Sequence, residues 1–165
     1  MKDLIKISVI GGSQAGRDIQ RLSFEVGRQI ARNNALLVCG GMGGVMEAAC
    51  RGAKSEGGLT IGILPLDDES CANEYVDIKI PTGLGYARNS LVVLASHAVI
   101  AIDGRSGTLS EIGYALTYEK PLIGLKTWRL NPSVKGEDLP IIYSDDPADA
   151  VNTAISEAKK QIREQ

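Results

Sequence analysis

Short apolar segments and longer amphipathic segments alternate along this chain, and that order constrains its fold more than any other feature. The first apolar segment, residues 5–10, is rich in β-branched side chains and ends at Gly11-Gly12. Apolar residues then recur at helical spacing through residues 17–33. Strands that alternate with helices form a parallel sheet that helices cover on both faces. The pattern therefore predicts an α/β fold, a Rossmann-like three-layer sandwich with a mostly parallel sheet of about six or seven strands.

The same reasoning predicts the position of each element. The strands are expected over residues 5–10, 35–39, 59–64, 76–80, 97–102, 122–125 and 140–143, and the fourth is weak enough to suit a sheet edge. The helices are expected over residues 17–33, 45–55, 86–96 and 108–119, with a last helix starting at Asp146-Pro147. No composition shift or tandem repeat divides the 165 residues, which predicts a single domain.

Composition excludes several classes of protein. A net charge of −2 gives no electrostatic basis for binding nucleic acid. The cysteines (Cys39, Cys50 and Cys71) are odd in number and have neither paired spacing nor a histidine cluster, so neither a disulfide framework nor a metal site is expected. No apolar run is long enough to span a bilayer, and no signal-peptide pattern is present. We expect a cytoplasmic protein without nucleic-acid or membrane partners.

The first glycine-rich turn, residues 11–16, offers Gly12 and Ser13 as ligand contacts, although a plain strand-to-helix turn explains them equally well. It lacks the lysine and hydroxyl of a Walker-type phosphate loop, because Arg17-Asp18 stands in their place. The acidic residue that holds ribose in dinucleotide-binding enzymes is also missing, because Cys39-Gly40 ends the second strand. An NAD-linked oxidoreductase is therefore disfavoured.

The second turn, Gly40-Gly41-Met42-Gly43-Gly44, holds four glycines in five residues. So many glycines cost backbone entropy on folding, and a purely structural turn would rarely need them. The helix that follows starts without a Ser, Thr, Asp or Asn cap, so its first N–H groups are expected to be free for an outside acceptor such as phosphate. We interpret this turn as a candidate phosphate-binding turn.

The third turn starts at Asp103, where a buried strand stops, and leads into a helix expected at Thr108. Unpaired N–H groups at such a helix start favour phosphate. The candidates in this turn are Gly104, Arg105, Ser106, Gly107 and Thr108. Glu111 has two interpretations: it places a carboxylate at the rim of the site, or it completes a capping box in which Thr108 caps the helix.

Arg88 follows a further glycine-rich turn. An arginine in this position can hold phosphate through two parallel hydrogen bonds, although a solvated surface arginine is the commoner case. His97 is the only histidine and stands at the start of a strand, away from the carboxyl-end turns. We therefore interpret His97 as structural.

Three motifs occur in one order, and together they resemble a known family. They are Gly40-Gly41-Met42-Gly43-Gly44-Val45-Met46, Arg88-Asn89 and Gly104-Arg105-Ser106-Gly107-Thr108-Leu109-Ser110-Glu111. This set is similar to the LOG ("Lonely guy") superfamily of Rossmann-like proteins, once mislabelled lysine decarboxylases. The short length and the Ala87-Arg88-Asn89 helix look most like the branch that includes molybdenum-cofactor carrier proteins and many uncharacterised members.

LOG enzymes cleave the N-glycosidic bond of nucleoside 5′-monophosphates and release a base and ribose 5-phosphate. The resemblance places the catalytic roles on Arg88 and Glu111. It places phosphate binding on a set of turn residues, Gly104, Gly107 and Thr108, with Gly41, Gly43 and Gly44 beside them. Where the family has Pro-Gly-Gly-x, this chain has Asp103-Gly104-Arg105-Ser106. Arg105 then either adds a phosphate contact or obstructs the pocket.

Two functions fit these features. The first is a carrier or sensor of a phosphorylated small molecule, a nucleotide or a pterin phosphate, with the molybdenum cofactor as the leading ligand and no other cofactor required. The alternative is a nucleoside 5′-monophosphate phosphoribohydrolase acting on AMP-type nucleotides. The altered turn and the branch resemblance favour the binding protein. By analogy with LOG relatives, we expect a homodimer or higher homo-oligomer formed through the helix that contains Tyr114-Ala115-Leu116.

Overall fold

A computed structural model describes residues 4–131, 136 and 138–164. Its strands are β1 (Lys6–Gly11), β2 (Leu36–Cys39), β3 (Thr60–Leu64), β4 (Ile78–Pro81), β5 (Ala98–Ile102), β6 (Leu122–Leu125) and β7 (Ile141–Ser144). Its helices are α1 (Arg17–Arg32), α2 (Val45–Ser55), α3 (Asn89–Leu94), α4 (Ser106–Thr117) and α5 (Pro147–Glu164), and a 3-10 turn, Gly85–Arg88, precedes α3. Each strand and helix predicted from the sequence has a counterpart among these elements.

The seven strands form one sheet in the order β4-β3-β2-β1-β5-β6-β7, and every neighbouring pair is parallel. The predicted Rossmann-like α/β fold is therefore confirmed, with a sheet that is wholly rather than mostly parallel. β4 lies at an edge, as its weak pattern indicated. It starts at Ile78 and not at Val76, because Val76 packs into the core before the strand begins.

Alternate side chains of the central strands point to opposite faces of the sheet, and helices cover each face. Ile7 and Leu37 belong to the core that α1, α2 and α5 cover. Ile10 and Val38 belong to the core beneath α3 and α4. Burial on both faces explains why the central strands are almost continuously apolar.

The strand order reverses at β1, which pairs with β2 on one side and with β5 on the other. In open parallel sheets of this kind, ligands bind outside the carboxyl ends of the strands at the point of reversal. The turns after β1 and β5, residues 12–16 and 103–105, flank the crevice that this topology opens.

Two helix starts differ from the prediction. The segment expected as one helix over residues 86–96 is a 3-10 turn followed by the short α3, with Arg88 at the end of the turn and Asn89 at the start of the helix. α4 begins at Ser106 and not at Thr108. Glycine is a weak helix former, which is why Gly107 was expected to precede the helix, but the turn after β5 brings the chain into helical geometry earlier.

Candidate ligand-binding site

A cleft of about 750 Å³ opens at the carboxyl ends of β1 and β5. Its walls come from the turn after β1, from Met42 and Met46 near the start of α2, from residues 65–66, from the segment around Arg88 and from the first turns of α4. The volume lies within the range of cavities that hold small molecules, roughly 300–1,000 Å³. The cleft also lies where the sheet topology predicts a ligand.

The turn after β1 is fastened to the start of α2. Gly12 and Ser13 line the cleft, and the carbonyl oxygen of Gly12 accepts a 3.0 Å hydrogen bond from the N–H of Val45. Gly44 permits this close approach, because its φ is 63° and a Cβ there would lie 2.3 Å from the Gly12 oxygen. Any other residue at position 44 would force the two turns apart.

The expectation that the first N–H groups of α2 are free is therefore wrong at Val45, whose N–H is bonded within the chain. Gly41 is engaged as well, because its N–H donates to the Sγ of Cys39 at 3.3 Å. Among the described residues, this loop lines the cleft through Met42 and Met46 and not through its glycines. Phosphate binding by Gly41, Gly43 and Gly44 stays a prediction, and packing gives a structural reason for at least Gly44.

The start of α4 faces the cleft without a side-chain cap. Arg105 is the residue before the helix, and its side chain makes no capping hydrogen bond to the first turn. Ser106, Gly107 and Thr108 line the cleft together with Arg105. The N–H groups of a first helical turn have no intrahelical partner and carry the positive end of the helix dipole. The geometry predicted for binding an anion is therefore present at this helix.

Glu111 does not cap the helix. The predicted capping box needs the helix to begin at Thr108, but α4 begins at Ser106, which places Glu111 in its second turn. Thr108 is instead packed against the turn: it is 3% exposed, and a Cβ on Gly104, whose φ is 111°, would lie 2.4 Å from the Thr108 Cβ. The capping interpretation is wrong, and the interpretation that remains is that Glu111 lines the cleft.

Arg88 is held inside the fold, with only 4% of its surface exposed. Its Nη1 donates to the Oδ1 of Asn89, and its Nη2 donates to the carbonyl oxygen of Gly40 at 3.3 Å. Its Nε is buried and has no hydrogen-bond partner among the described residues. The two hydrogen bonds hold the guanidinium in place. A buried donor without a partner is unfavourable, so the N–H of Nε favours a ligand that can accept its hydrogen bond.

Glu111 faces Arg88, with 4.0 Å between its Oε1 and the Nη1 of Arg88. Burial raises the pKa of Glu111 to about 8, and the positive charge of Arg88 offsets only part of that rise. Burial also lowers the pKa of Arg88, although a guanidinium stays charged throughout the physiological range. Near neutral pH the pair is therefore a charged arginine beside a largely protonated carboxylic acid.

Asn89 connects Arg88 to α4, a role that the sequence did not reveal. Its side chain is buried, and while Oδ1 accepts from Arg88, Nδ2 donates to the Oγ of Ser110 at 3.0 Å. The Oγ of Ser110 in turn donates to the carbonyl oxygen of Gly107 at 2.6 Å. These contacts fix the guanidinium relative to the first turn of α4. The one feature of the sequence that could have indicated this role is that Asn89 directly follows Arg88.

The described residues contain neither a metal cluster nor a membrane-spanning helix. Among the described residues, no group of three or more His, Cys, Asp or Glu side chains could hold a metal ion. Within the same part of the chain, no helix combines the length and apolar character that crossing a membrane requires. His97 precedes β5, where its Nδ1 accepts a 3.0 Å hydrogen bond from the N–H of Lys6. The cytoplasmic location and the exclusion of nucleic acid stay predictions.

Known proteins resemble the chain over most of its length. The family model described as LDcluster4, SLOG cluster4 family, matches residues 4–151. An uncharacterised protein of Archaeoglobus fulgidus is 41% identical over 157 residues, which cover 95% of this chain and 99% of that protein. A cytokinin riboside 5′-monophosphate phosphoribohydrolase of Mycobacterium tuberculosis is 33% identical over 121 residues, which cover 67% of this chain and 64% of that enzyme.

Solved structures with the same architecture include two proteins that handle the molybdenum cofactor. The molybdenum cofactor binding protein from the phototrophic bacterium Rippkaea orientalis has a TM-score of 0.82 and 35% identity, covering 98% of this chain and 99% of that chain. The molybdenum cofactor carrier protein of Chlamydomonas reinhardtii has a TM-score of 0.80 and 32% identity, covering 94% of this chain and 99% of that chain. The similarity thus extends over nearly the whole of each protein.

Proposed function

The chain belongs to the SLOG cluster4 family, and on this premise we propose that it binds a phosphorylated small molecule in the cleft, with the molybdenum cofactor as the leading candidate. Membership of this family confirms the predicted resemblance to the LOG superfamily. The two similar structures named for the molybdenum cofactor cover at least 94% of the chain, whereas the mycobacterial phosphoribohydrolase covers 67%. This difference supports a carrier or sensor over an enzyme.

One observation carries the proposal: the uncapped first turn of α4 faces the cleft beside Arg88. A phosphate at this turn accepts hydrogen bonds from backbone N–H groups that otherwise have no partner in the helix. Arg105 lines the cleft at the same turn and adds a positive charge. Hydrogen bonds to a charged acceptor are shorter and stronger than neutral ones, which favours an anion over a neutral ligand.

The other walls of the cleft suit the ring of a pterin or a nucleobase. Met42, Met46, Leu66 and Tyr86 line it, and Tyr86 is 84% exposed. Thioether and aromatic side chains pack well against flat heterocycles. The cleft therefore combines donors for a phosphate with apolar surface for a ring, and this combination fits a pterin phosphate such as the molybdenum cofactor as well as it fits a nucleotide.

The variant Ser106→Asp tests anion binding at α4. Ser106 is exposed at the first position of the helix, so an aspartate there leaves the core unchanged and interacts favourably with the helix dipole. Its carboxylate repels a phosphate at the same N–H groups. We expect wild-type protein from cells that make the molybdenum cofactor to carry molybdenum, and Ser106→Asp to carry at least about tenfold less.

Ser106→Asn is the matched control, because it has the size of aspartate without the charge, and it should keep the metal. Molybdenum per protein chain is measured by mass spectrometry after purification. Wild-type protein without molybdenum would exclude the molybdenum cofactor as the ligand. Equal molybdenum in the aspartate and asparagine variants would show that the cofactor binds away from this turn.

A nucleoside 5′-monophosphate phosphoribohydrolase is the second candidate, and the pair formed by Arg88 and Glu111 favours it. In this reaction water adds to the C1′ of ribose, and the base leaves with a proton. A carboxyl group with a pKa of about 8 can exchange protons near neutral pH, and its ionised form stabilises the positive charge that develops on ribose. Arg88 would hold the phosphate or the leaving base. The turn at residues 103–106 departs from the LOG signature and counts against this function.

Incubation with AMP at high protein concentration, with adenine followed by chromatography, tests the second candidate. Adenine release by the wild type that disappears in Glu111→Gln, while AMP still binds, would establish the hydrolase. If the wild-type protein binds AMP but releases no adenine, the hydrolase function is excluded and the binding function still stands.

We further propose a homo-oligomer, through exposed side chains of α3 and of the predicted helix, α4, and not through Ala115. Ala115 is fully buried against the sheet and cannot take part in an interface. Leu91 and Leu94 on α3 and Leu109 on α4 are exposed, and the two helices pack together. Apolar side chains exposed on neighbouring helices suit a contact between protein chains. Leu91→Glu should then lower the mass measured by sedimentation, whereas an unchanged mass would place the interface elsewhere.

A further inference from the structure

A second cavity, of about 450 Å³, adjoins the cleft. The turn after β1 forms one wall with Gly12 and residues 14–16, and the turn after β5 forms the other with residues 103–105. Gly12, Gln14 and Arg105 line both cavities, so the two lie side by side at these residues. The proposed function uses only the cleft and leaves this space unassigned.

The junction of the two cavities lies at the start of α4. Arg105 directly precedes the helix and lines both cavities, so a phosphate bound at the first turn would lie where the two cavities adjoin. A ligand that ended at this phosphate would leave the second cavity to water. A ligand whose phosphate carried a further group could fill both.

We propose that the two cavities form one binding site for a ligand in which a diphosphate links two organic groups, a ring-bearing group in the cleft and a sugar in the second cavity. This inference rests on the proposed function, because it takes phosphate binding at α4 as given. It narrows the ligand from phosphorylated small molecules in general to diphosphate esters with a group on each side.

The walls of the second cavity match a sugar. Asp103 and Gln14 line it, and their carboxylate and amide oxygens accept hydrogen bonds from hydroxyl groups. Asp103 is held in place: its φ is 49°, uncommon for a residue other than glycine, and its carbonyl oxygen accepts a 2.6 Å hydrogen bond from the Oγ1 of Thr127. The negative charge of Asp103 disfavours a further phosphate in this cavity and favours a neutral group rich in hydroxyls.

Calorimetric titration with AMP, ADP and ADP-ribose separates the contributions of charge and sugar. ADP adds a phosphate to AMP without a second organic group, and ADP-ribose adds a ribose beyond the diphosphate. We expect ADP-ribose to bind at least about tenfold tighter than either AMP or ADP, which corresponds to one or two net hydrogen bonds from the second ribose.

Gly16 offers a way to close the second cavity alone. It lines that cavity but is not among the described residues that line the cleft, its φ of −69° suits any side chain, and no atom lies within 4 Å of where its Cβ would stand. Gly16→Tyr should remove the gain of ADP-ribose and leave the dissociation constant of AMP within about twofold. Gly113→Tyr is the matched control, because Gly113 has equally open space on the exposed face of α4.

Each other result overturns the inference in a different way. Equal dissociation constants for the three nucleotides would show that there is no second subsite, while the proposed function would still hold. If ADP already binds more tightly than AMP and as tightly as ADP-ribose, the gain in affinity comes from charge, and no sugar subsite exists. A gain that survives Gly16→Tyr places the ribose outside the second cavity. If none of the three nucleotides binds, the inference is wrong. The molybdenum content of the protein then tests separately whether the cleft binds a pterin phosphate.

Discussion

Glu56 and Glu111 each face an arginine, and their surroundings shift their pKa values in opposite directions. Glu56 lies at the surface at the end of α2, where its Oε1 is 2.8 Å from the Nη2 of Arg28 and 2.9 Å from the Nη2 of Arg32. These hydrogen bonds lower its pKa. Glu111 is buried beside Arg88 at 4.0 Å, and burial raises its pKa to about 8.

The comparison shows that an arginine nearby does not by itself make a stabilising pair. At the surface, water remains in contact with both charges, and the hydrogen bonds are short. In the cleft, Glu111 loses hydration and stands too far from Arg88 for a hydrogen bond in return. The surface group joins α1 to α2, whereas the buried pair lines a ligand-sized space in which burial disfavours the ionised form of Glu111. Strongly shifted groups in a cleft are the pattern expected of a functional site.

The largest effect that this comparison predicts is on stability at alkaline pH. The folded pKa of Glu111, about 8, exceeds its ordinary value of 4.5, so the unfolded chain releases this proton first as the pH rises. The contribution of Glu111 to the free energy of unfolding is fully present below pH 4.5 and is lost progressively as the pH rises to about 8. Glu111→Gln avoids that loss, so above pH 8 its free energy of unfolding should exceed that of the wild type by up to about 5 kcal/mol.

Urea unfolding of both proteins at pH 5 and pH 9 measures this difference. At pH 5 the two free energies of unfolding should agree within about 1 kcal/mol, because the carboxyl group is still largely protonated in the folded chain. The same difference at both pH values would mean that Glu111 does not titrate between them.

The second largest effect is expected on ligand binding in Arg88→Met. Methionine fills similar space but removes a buried charge from the cleft, and truncating such a group typically weakens binding by about a hundredfold. The variant should still fold, because Glu111 can remain protonated without its partner. Arg28→Met is the matched control at the surface pair, and its affinity should equal that of the wild type. Molybdenum content or AMP titration measures binding, and wild-type affinity in Arg88→Met would remove the arginine from the site.

The fold was predictable because its determinants are local. Each strand is a short apolar run that ends at a turn, and the amphipathic spacing of α1 and α5 is visible within a single window. The parallel sheet then follows from their alternation. Even the edge position of β4 followed from its weaker apolar pattern.

The internal geometry of the site was not predictable, because it depends on contacts distant in sequence. The stretch Ala87-Arg88-Asn89-Ser90 has the polar composition of a surface segment, yet packing under the start of α4 leaves Arg88 only 4% exposed. The pattern from Thr108 to Glu111 has the spacing of a capping box, and only the turn after β5 shows that the helix starts earlier. Similarly, the bond from Val45 to Gly12 joins two turns that no local pattern connects.

A smaller effect is expected when the connection between Arg88 and α4 is cut. Asn89→Ala removes the acceptor for Nη1 of Arg88 and the donor to Ser110, so the guanidinium loses its orientation. We expect about tenfold weaker ligand binding together with a loss of about 1–2 kcal/mol in stability. Ser110→Ala leaves the hydrogen bond between Asn89 and Arg88 in place and should weaken binding less. Loss of stability with unchanged affinity would restrict Asn89 to a structural role.

The smallest effect is expected at the surface pair, with the opposite sign. The folded pKa of Glu56 lies below its ordinary value of 4.5, so its contribution to stability is present above pH 4.5 and is lost as the pH falls through the folded pKa. Glu56→Gln should therefore lower the melting temperature at pH 7, by no more than about 2 °C, and high salt should reduce the difference. Glutamine at position 111 should raise the melting temperature at the same pH. If both variants moved it in the same direction, burial would not be what separates the two glutamates.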